Sequence, residues 1–176
     1  MWPPTVSQLL SIAGSATGTA VILVAQGGEN VIAVDPGANR MLTPESVKAH
    51  LAVEAYDVIL AQLEIDPAAV LAAARSRRGA TFVLNPAPIL ADHAMTRELL
   101  RHIDILVPNR PELGRLAGGS TPATRAELDR AVDVLGFDGI IVVTLGAEGA
   151  VVYDGGAAGR RRTAIEPVRV ETVDTS

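Results

Sequence analysis

Ile103-Asp104-Ile105-Leu106-Val107-Pro108-Asn109-Arg110-Pro111-Glu112-Leu113 passes from an apolar run to a helix start within a few residues. Ile103 to Val107 reads as a buried strand, and Pro111 opens a helix reaching Ala117. Asn109 and Glu112 stand three apart at that junction, where α/β proteins gather phosphate and metal. One reading is purely structural: Asn109 caps the helix and Glu112 reaches back to the Asn109 amide, a capping box that needs no ligand. In the other, the helix N-terminus attracts an anion while Glu112 holds a hydrated cation. On this stretch alone both stay open.

The same strand-to-helix unit recurs on either side. Strands are expected at Asp57 to Ala61 and Thr81 to Leu84, with helices at Pro67 to Arg75 and Ala94 to Arg101. Short apolar strands alternating with helices of this length signal right-handed βαβ units on a parallel sheet. A helix from Thr124 to Leu135 leads to a strand from Gly139 to Thr144. Two or three short strands, among them Ala150 to Tyr153 and roughly Val168 to Val173, should then follow, and the glycine-rich turns suggest antiparallel pairing.

Upstream, Thr19 to Val24 and Val31 to Val34 read as a hairpin turning at Gly27-Gly28-Glu29-Asn30. Asp35-Pro36-Gly37-Ala38-Asn39 breaks that pattern, and Thr43 caps a helix whose first residue is Pro44. The fold class is therefore α/β, a mostly parallel sheet flanked by helices. Met1 to Ile12 fits neither pattern and reads as a tail. At the other end, Asp174-Thr175-Ser176 would open a loop at the carboxyl edge of the sheet, so the chain reads as ending at the mouth of a site.

Composition narrows the function classes. The 176 residues include no cysteine, which excludes disulfides, thiol nucleophiles and zinc-thiolate sites. A formal charge of −5 argues against a broad nucleic-acid footprint. Arg75, Arg77 and Arg78, like Arg160 to Arg162, read as solvated helix ends or loops. Lys48 is the only lysine, and no Walker pattern surrounds it, so a lysine-based phosphate loop has no candidate. The first cationic residue is Arg40, and no apolar run approaches the ~18–20 residues needed to span a bilayer. A soluble, cytoplasmic protein is expected, without nucleic-acid or membrane partners.

Other polar residues stand at strand exits. Glu64 follows the strand ending at Ala61, where its carboxylate could accept hydrogen bonds from sugar hydroxyls or merely supply charge to the next helix. Asn85 ends the next strand, before the stiff Pro86-Ala87-Pro88. Thr144-Leu145-Gly146-Ala147-Glu148-Gly149 leaves its strand on two glycines, which either form a plain turn or let backbone approach a ligand. His50, His93 and His102 lack metal-ligand spacing. Glu64, Asn85, Asn109 and Thr144 share one address, the carboxyl ends of successive strands, and plain turns explain such an ordered row poorly.

At this point the chain resembles the ribokinase branch of the PfkB-type carbohydrate kinases. The matching pieces are Thr17-Gly18-Thr19-Ala20, Gly28-Glu29-Asn30, Pro36-Gly37-Ala38-Asn39, Gln62-Leu63-Glu64, Asn85-Pro86-Ala87-Pro88, Pro108 to Leu113, Thr144 to Gly149 and Val173-Asp174-Thr175. The resemblance implies a partial kinase domain over residues 17–176, with a lid hairpin at 17–38, an α/β core at 43–176 and an unassigned tail at 1–16. It implies that Glu64 contacts the sugar and that Asn109 and Glu112 serve the magnesium-phosphate end of ATP. It further implies that Thr144, Leu145, Gly146, Ala147, Glu148 and Gly149 form the nucleotide loop, and that Asp174 and Ser176 bind a monovalent cation such as potassium. Asn85 joins the site on the same ground.

The activity so implied is transfer of the γ-phosphoryl group of ATP to a pentose hydroxyl, as from ribose to ribose 5-phosphate. Family members acting on fructose, a nucleoside or a keto-deoxy sugar acid are the enzyme alternatives. A non-catalytic nucleotide-binding or assembly module is the alternative of another class. Unpaired lid edges would favour a homodimer. The family's upstream glycine-rich sugar segment has no match in Met1 to Ile12, and its Gly-Ala-Gly-Asp, which carries the general base, does not occur here. A central fragment without significant activity of its own is the expectation.

Overall fold

The computed structural model describes residues 11–25, 30–156 and 159–168, which form two sheets. Strands β1 (Thr19–Val24) and β2 (Asn30–Asp35) make an antiparallel pair, Thr19 opposite Asp35 and Val24 opposite Asn30. The second sheet has six strands in sequence order: β3 (Val58–Ala61), β4 (Thr81–Leu84), β5 (Ile105–Leu106), β6 (Ile140–Thr144), β7 (Ala150–Asp154) and β8 (Arg161–Ile165). β3 to β6 run parallel, and β7 and β8 complete the sheet antiparallel. The connecting helices are α1 (Pro44–Val53), α2 (Pro67–Arg75), α3 (His93–Leu100), α4 (Arg110–Leu116) and α5 (Arg125–Leu135).

Short polar side chains start these helices by satisfying amides that have no partner within the helix. Thr43 accepts from the Ser46 amide at 3.2 Å, Asp66 from Ala68 at 2.8 Å, and Thr124 from Glu127 at 3.3 Å. Proline follows the cap in α1 and α2, where its missing N–H costs nothing. α5 ends on Gly136 at φ +61°, the left-handed conformation of a helix stop.

Strand alternation then divides the sheet into two faces. Phe82, Leu84, Leu106, Ile141, Val143 and Val151 are buried against Val70 of α2, Leu99 of α3, Leu113 of α4 and Leu128 of α5. Their neighbours in sequence, Val83, Ile105 and Val142, turn to the opposite face and are only half-buried. On β3 that face is open, with Val58 at 55% and Leu60 at 71% exposure.

Several expectations need correction. β8 was not expected: Arg160 to Arg162 read as solvated loop, yet Arg161 opens a strand paired with β7, Arg162 reaches Asp129 at 3.0 Å, and Arg160 donates to the Phe137 carbonyl at 2.7 Å. Cross-strand pairing with an apolar neighbour outweighs the local charge run there. The last strand was expected at Val168 to Val173, but Val168 lies outside any strand and residues 169–176 lie outside the described residues. The strand expected over Ile103 to Val107 reduces to two residues. Arg75 and Arg77 also do more than end a helix: Arg75 pairs with Glu98, and Arg77 with Asp104. Part of the expected hairpin turn, residues 26–29, and most of the expected tail, residues 1–10, lie outside the described residues. No helix among the described residues is long and apolar enough to cross a membrane.

Candidate active site

Because β3 to β6 are parallel and adjacent, their carboxyl ends share one edge, in the order of the sequence. With about 4.8 Å between neighbouring strands, the β3 and β6 exits stand roughly 14 Å apart. Backbone bonds knit the exits together: Asn85 N donates to Ala61 O at 3.0 Å, Leu63 N to Ala87 O at 2.9 Å, Val107 N to Leu84 O at 2.8 Å, and Thr144 N to Pro108 O at 3.0 Å. Pro86 and Pro108, just past β4 and β5, are fully buried and fix the direction of both exits.

Asn109 bridges to Thr144 in parallel register, so the 109–112 and 144–149 segments lie side by side. Asn109 is the N-cap of α4. Its Oδ1 accepts from the Glu112 amide at 2.8 Å, while its own amide donates to Glu112 Oε2 at 2.8 Å and its Nδ2 to Oε1 at 2.9 Å. The capping box is therefore formed, and it fixes the Glu112 carboxylate. The expected free helix N-terminus is reduced by the same bonds. Pro111 has no N–H and the Glu112 amide is used, so only the Arg110 amide is left at the tip of a seven-residue helix.

The 144–149 loop is closed by Leu145 N donating to Gly149 O at 2.8 Å. Gly149 has φ +85°, and a Cβ there would stand 2.1 Å from the Ile165 carbonyl. Glycine is thus required by the backbone of β8 quite apart from any ligand. Glu148 projects toward α4 and meets Arg110 Nη2 at 2.6 Å, while Arg110 Nη1 donates to Ala123 O at 3.1 Å. Sequence reasoning passed over Arg110. Its partner is 38 residues away, and no periodicity joins the two.

Glu64 belongs to a different part of the edge. It lines a cleft of about 760 Å³ with Ile32 and Val34 of β2, Arg40, Leu63 and Pro88. The base of the hairpin is closed by a close backbone approach: Ala38 N donates to Ala16 O at 2.8 Å, and a Cβ on Gly37, at φ +48°, would stand 2.5 Å from that carbonyl. The Thr17-Gly18 and Pro36-Gly37-Ala38 pieces therefore pack on each other. Glu64 and Arg40 have no side-chain partner among the described residues, and neither does Asn85, which lies between the cleft and the paired segments.

No group of three or more histidine, aspartate or glutamate side chains clusters for a metal among the described residues. Glu112 remains as a single fixed carboxylate with lone pairs to spare, which suits a hydrated magnesium ion whose other ligands are water and phosphate. Asp174 and Ser176, expected to bind a monovalent cation, lie outside the described residues.

A model of the pfkB family of carbohydrate kinases matches residues 5–176, beginning upstream of Thr17, where the motif resemblance starts. Ribokinase of Staphylococcus aureus is 36% identical over 175 residues, covering 97% of this chain and 55% of that protein. The structure of ribokinase from Giardia lamblia aligns at a TM-score of 0.76 and 28% identity, covering 94% of this chain and 52% of the other. That of Arabidopsis thaliana ribokinase complexed with ribose and ATP aligns at 0.69 and 25% identity, covering 91% and 51%. The chain spans about half the length of these relatives. By the match along nearly all of its sequence, it belongs to the pfkB family of carbohydrate kinases.

Proposed function

We propose that this chain carries the acceptor edge and the nucleotide edge of an ATP-dependent sugar kinase whose acceptor is a pentose, ribose becoming ribose 5-phosphate. The observation that carries this reading is the ordered row of strand exits. It ends on one side in the Glu64 cleft and on the other in the paired 109–112 and 144–149 segments. Two ligands can lie side by side along such an edge.

In this reading Glu64 accepts hydrogen bonds from the sugar hydroxyls, with Ile32 and Val34 covering the apolar face of the ring. Asn85 lines the path between the two ligands. Asn109 and Thr144 face the phosphates, and the turn from Leu145 to Gly149 brings backbone close to the nucleotide. Phosphoryl transfer depends on positioning and charge neutralisation more than on covalent chemistry by the protein. Glu112, fixed by its capping box, would hold hydrated magnesium, which neutralises phosphate charge when bound. A potassium site at Asp174 and Ser176 belongs to the reading on the resemblance alone. The reading also pairs two copies through β1 and β2, each of which has one unpaired edge among the described residues.

No Gly-Ala-Gly-Asp occurs in the 176 residues, so this chain by itself is expected to bind ligands with negligible turnover. Calorimetric titration with ribose and with magnesium-ATP tests the reading. Saturable binding of both is expected, with Glu64→Gln weakening ribose alone and Asn109→Ala weakening ATP alone. Failure to bind either ligand, or equal loss of both in each variant, would defeat it.

A further inference from the structure

Glu148 presents a difficulty for a polyphosphate site. It puts a carboxylate into the loop assigned to the nucleotide, where a free negative charge would repel the ligand. Its side chain is 69% exposed. Arg110 answers that charge from the first residue of α4. The Arg110 side chain is only 21% exposed, and its guanidinium is held at two points, on Glu148 Oε1 at 2.6 Å and on the Ala123 carbonyl at 3.1 Å. One donor therefore anchors Arg110 to the segment before α5, and the other reaches across to the loop after β6. An arginine with a second, neutral anchor loses less freedom on pairing than a fully exposed one.

We propose that Arg110 is a positioning residue of the nucleotide site. By pairing with Glu148 it latches the 144–149 loop against α4 and neutralises a carboxylate that would otherwise select against the polyphosphate. The inference rests on the nucleotide reading above and adds a selectivity to it. Without Arg110 the site discriminates against ligands in proportion to their phosphate charge, while the nucleoside end is read much as before.

The latch alone and the charge alone predict different outcomes. If Arg110 served only to hold the loop, its removal would weaken adenosine and ATP alike. With charge neutralisation, the loss grows from adenosine through ADP to ATP, shrinks at high salt, and is recovered when Glu148 is made neutral.

The test is calorimetric titration of the 176-residue chain and its variants with adenosine, ADP and ATP at low and high salt. Arg110→Ala should weaken ATP about tenfold and adenosine no more than about twofold. Adding Glu148→Gln to Arg110→Ala should return ATP to within about threefold of the parent, and Arg110→Lys should retain most of the affinity because it keeps the charge. Unchanged ATP affinity in Arg110→Ala, equal loss of ATP and adenosine, or no recovery in the double variant overturns the inference and leaves the nucleotide reading standing. If the unmodified chain binds none of the three ligands, the nucleotide reading fails and the inference falls with it.

Discussion

The two ends of the parallel strands treat their polar groups in opposite ways. At the amino end they satisfy one another. Asp104 accepts from Arg77 and from the Phe82 amide at 2.7 Å, and Glu98 accepts from Arg75, from Arg101 at 2.9 Å and from His102, whose Nε2 lies 3.1 Å away. At the carboxyl end, Glu64, Asn85 and the Thr144 hydroxyl have no side-chain partner among the described residues. Groups paired within the fold contribute to holding it, whereas unpaired groups gathered on one edge are available to a ligand. Asn109 and Glu112 do both, since each satisfies the other and together they hold a carboxylate in place.

That contrast can be broken from either side. The largest effect is expected at the amino end. Asp104→Ala leaves the Phe82 amide without its acceptor and Arg77 without its partner, and should cost about 2 kcal/mol in chemical denaturation with sugar and nucleotide affinities unchanged. Glu64→Gln should do the reverse, with ribose affinity falling about tenfold and unfolding free energy staying within about 0.5 kcal/mol. A large stability loss in Glu64→Gln would erase the distinction between the ends.

Asn109→Ala should show both effects in one variant. Removing the cap costs about 1 kcal/mol, and the freed Glu112 carboxylate should also weaken ATP binding.

The smallest effect concerns pH. The hydrogen bond from Arg75, then those from His102 and Arg101, holds the Glu98 carboxyl down from its ordinary 4.5 to about 2. A group whose pKa is lowered by folding contributes its stability above the unfolded value, and loses it as the pH falls through the folded one. Denaturation midpoints should therefore decline between about pH 5 and pH 2, and Glu98→Gln should flatten that part of the curve. An unchanged slope in the variant would show that Glu98 is not responsible.

Local rules made much of the architecture legible. Asp66-Pro67 and Thr43-Pro44 start helices where expected, and β4 occupies Thr81–Leu84 as the apolar run implied. β8 was missed because its residues are exposed and its arginines look like a loop, while the reason for a strand there is β7, a partner that local pattern does not display. The row of strand exits that makes up the candidate site was legible in the sequence. Its division into a cleft at Glu64 and a paired cluster at Asn109 and Thr144 was not, because the cleft depends on β2 and Arg40, far upstream. Arg110 was missed for the same reason.

Val and Ile fill both β1 and β6, yet β1 is exposed along its whole length while β6 alternates between half-buried and buried positions up to its exposed last residue, Thr144. The sequence by itself determined where most of the parallel strands fall, which side chains cap helices and which polar groups stand at strand ends, since each depends on neighbours a few residues away. Tertiary structure alone decided which apolar strands are covered, which arginine answers Glu148 and which residues share a cleft with Glu64. Those outcomes depend on surfaces brought together from distant parts of the chain, and no local propensity encodes them.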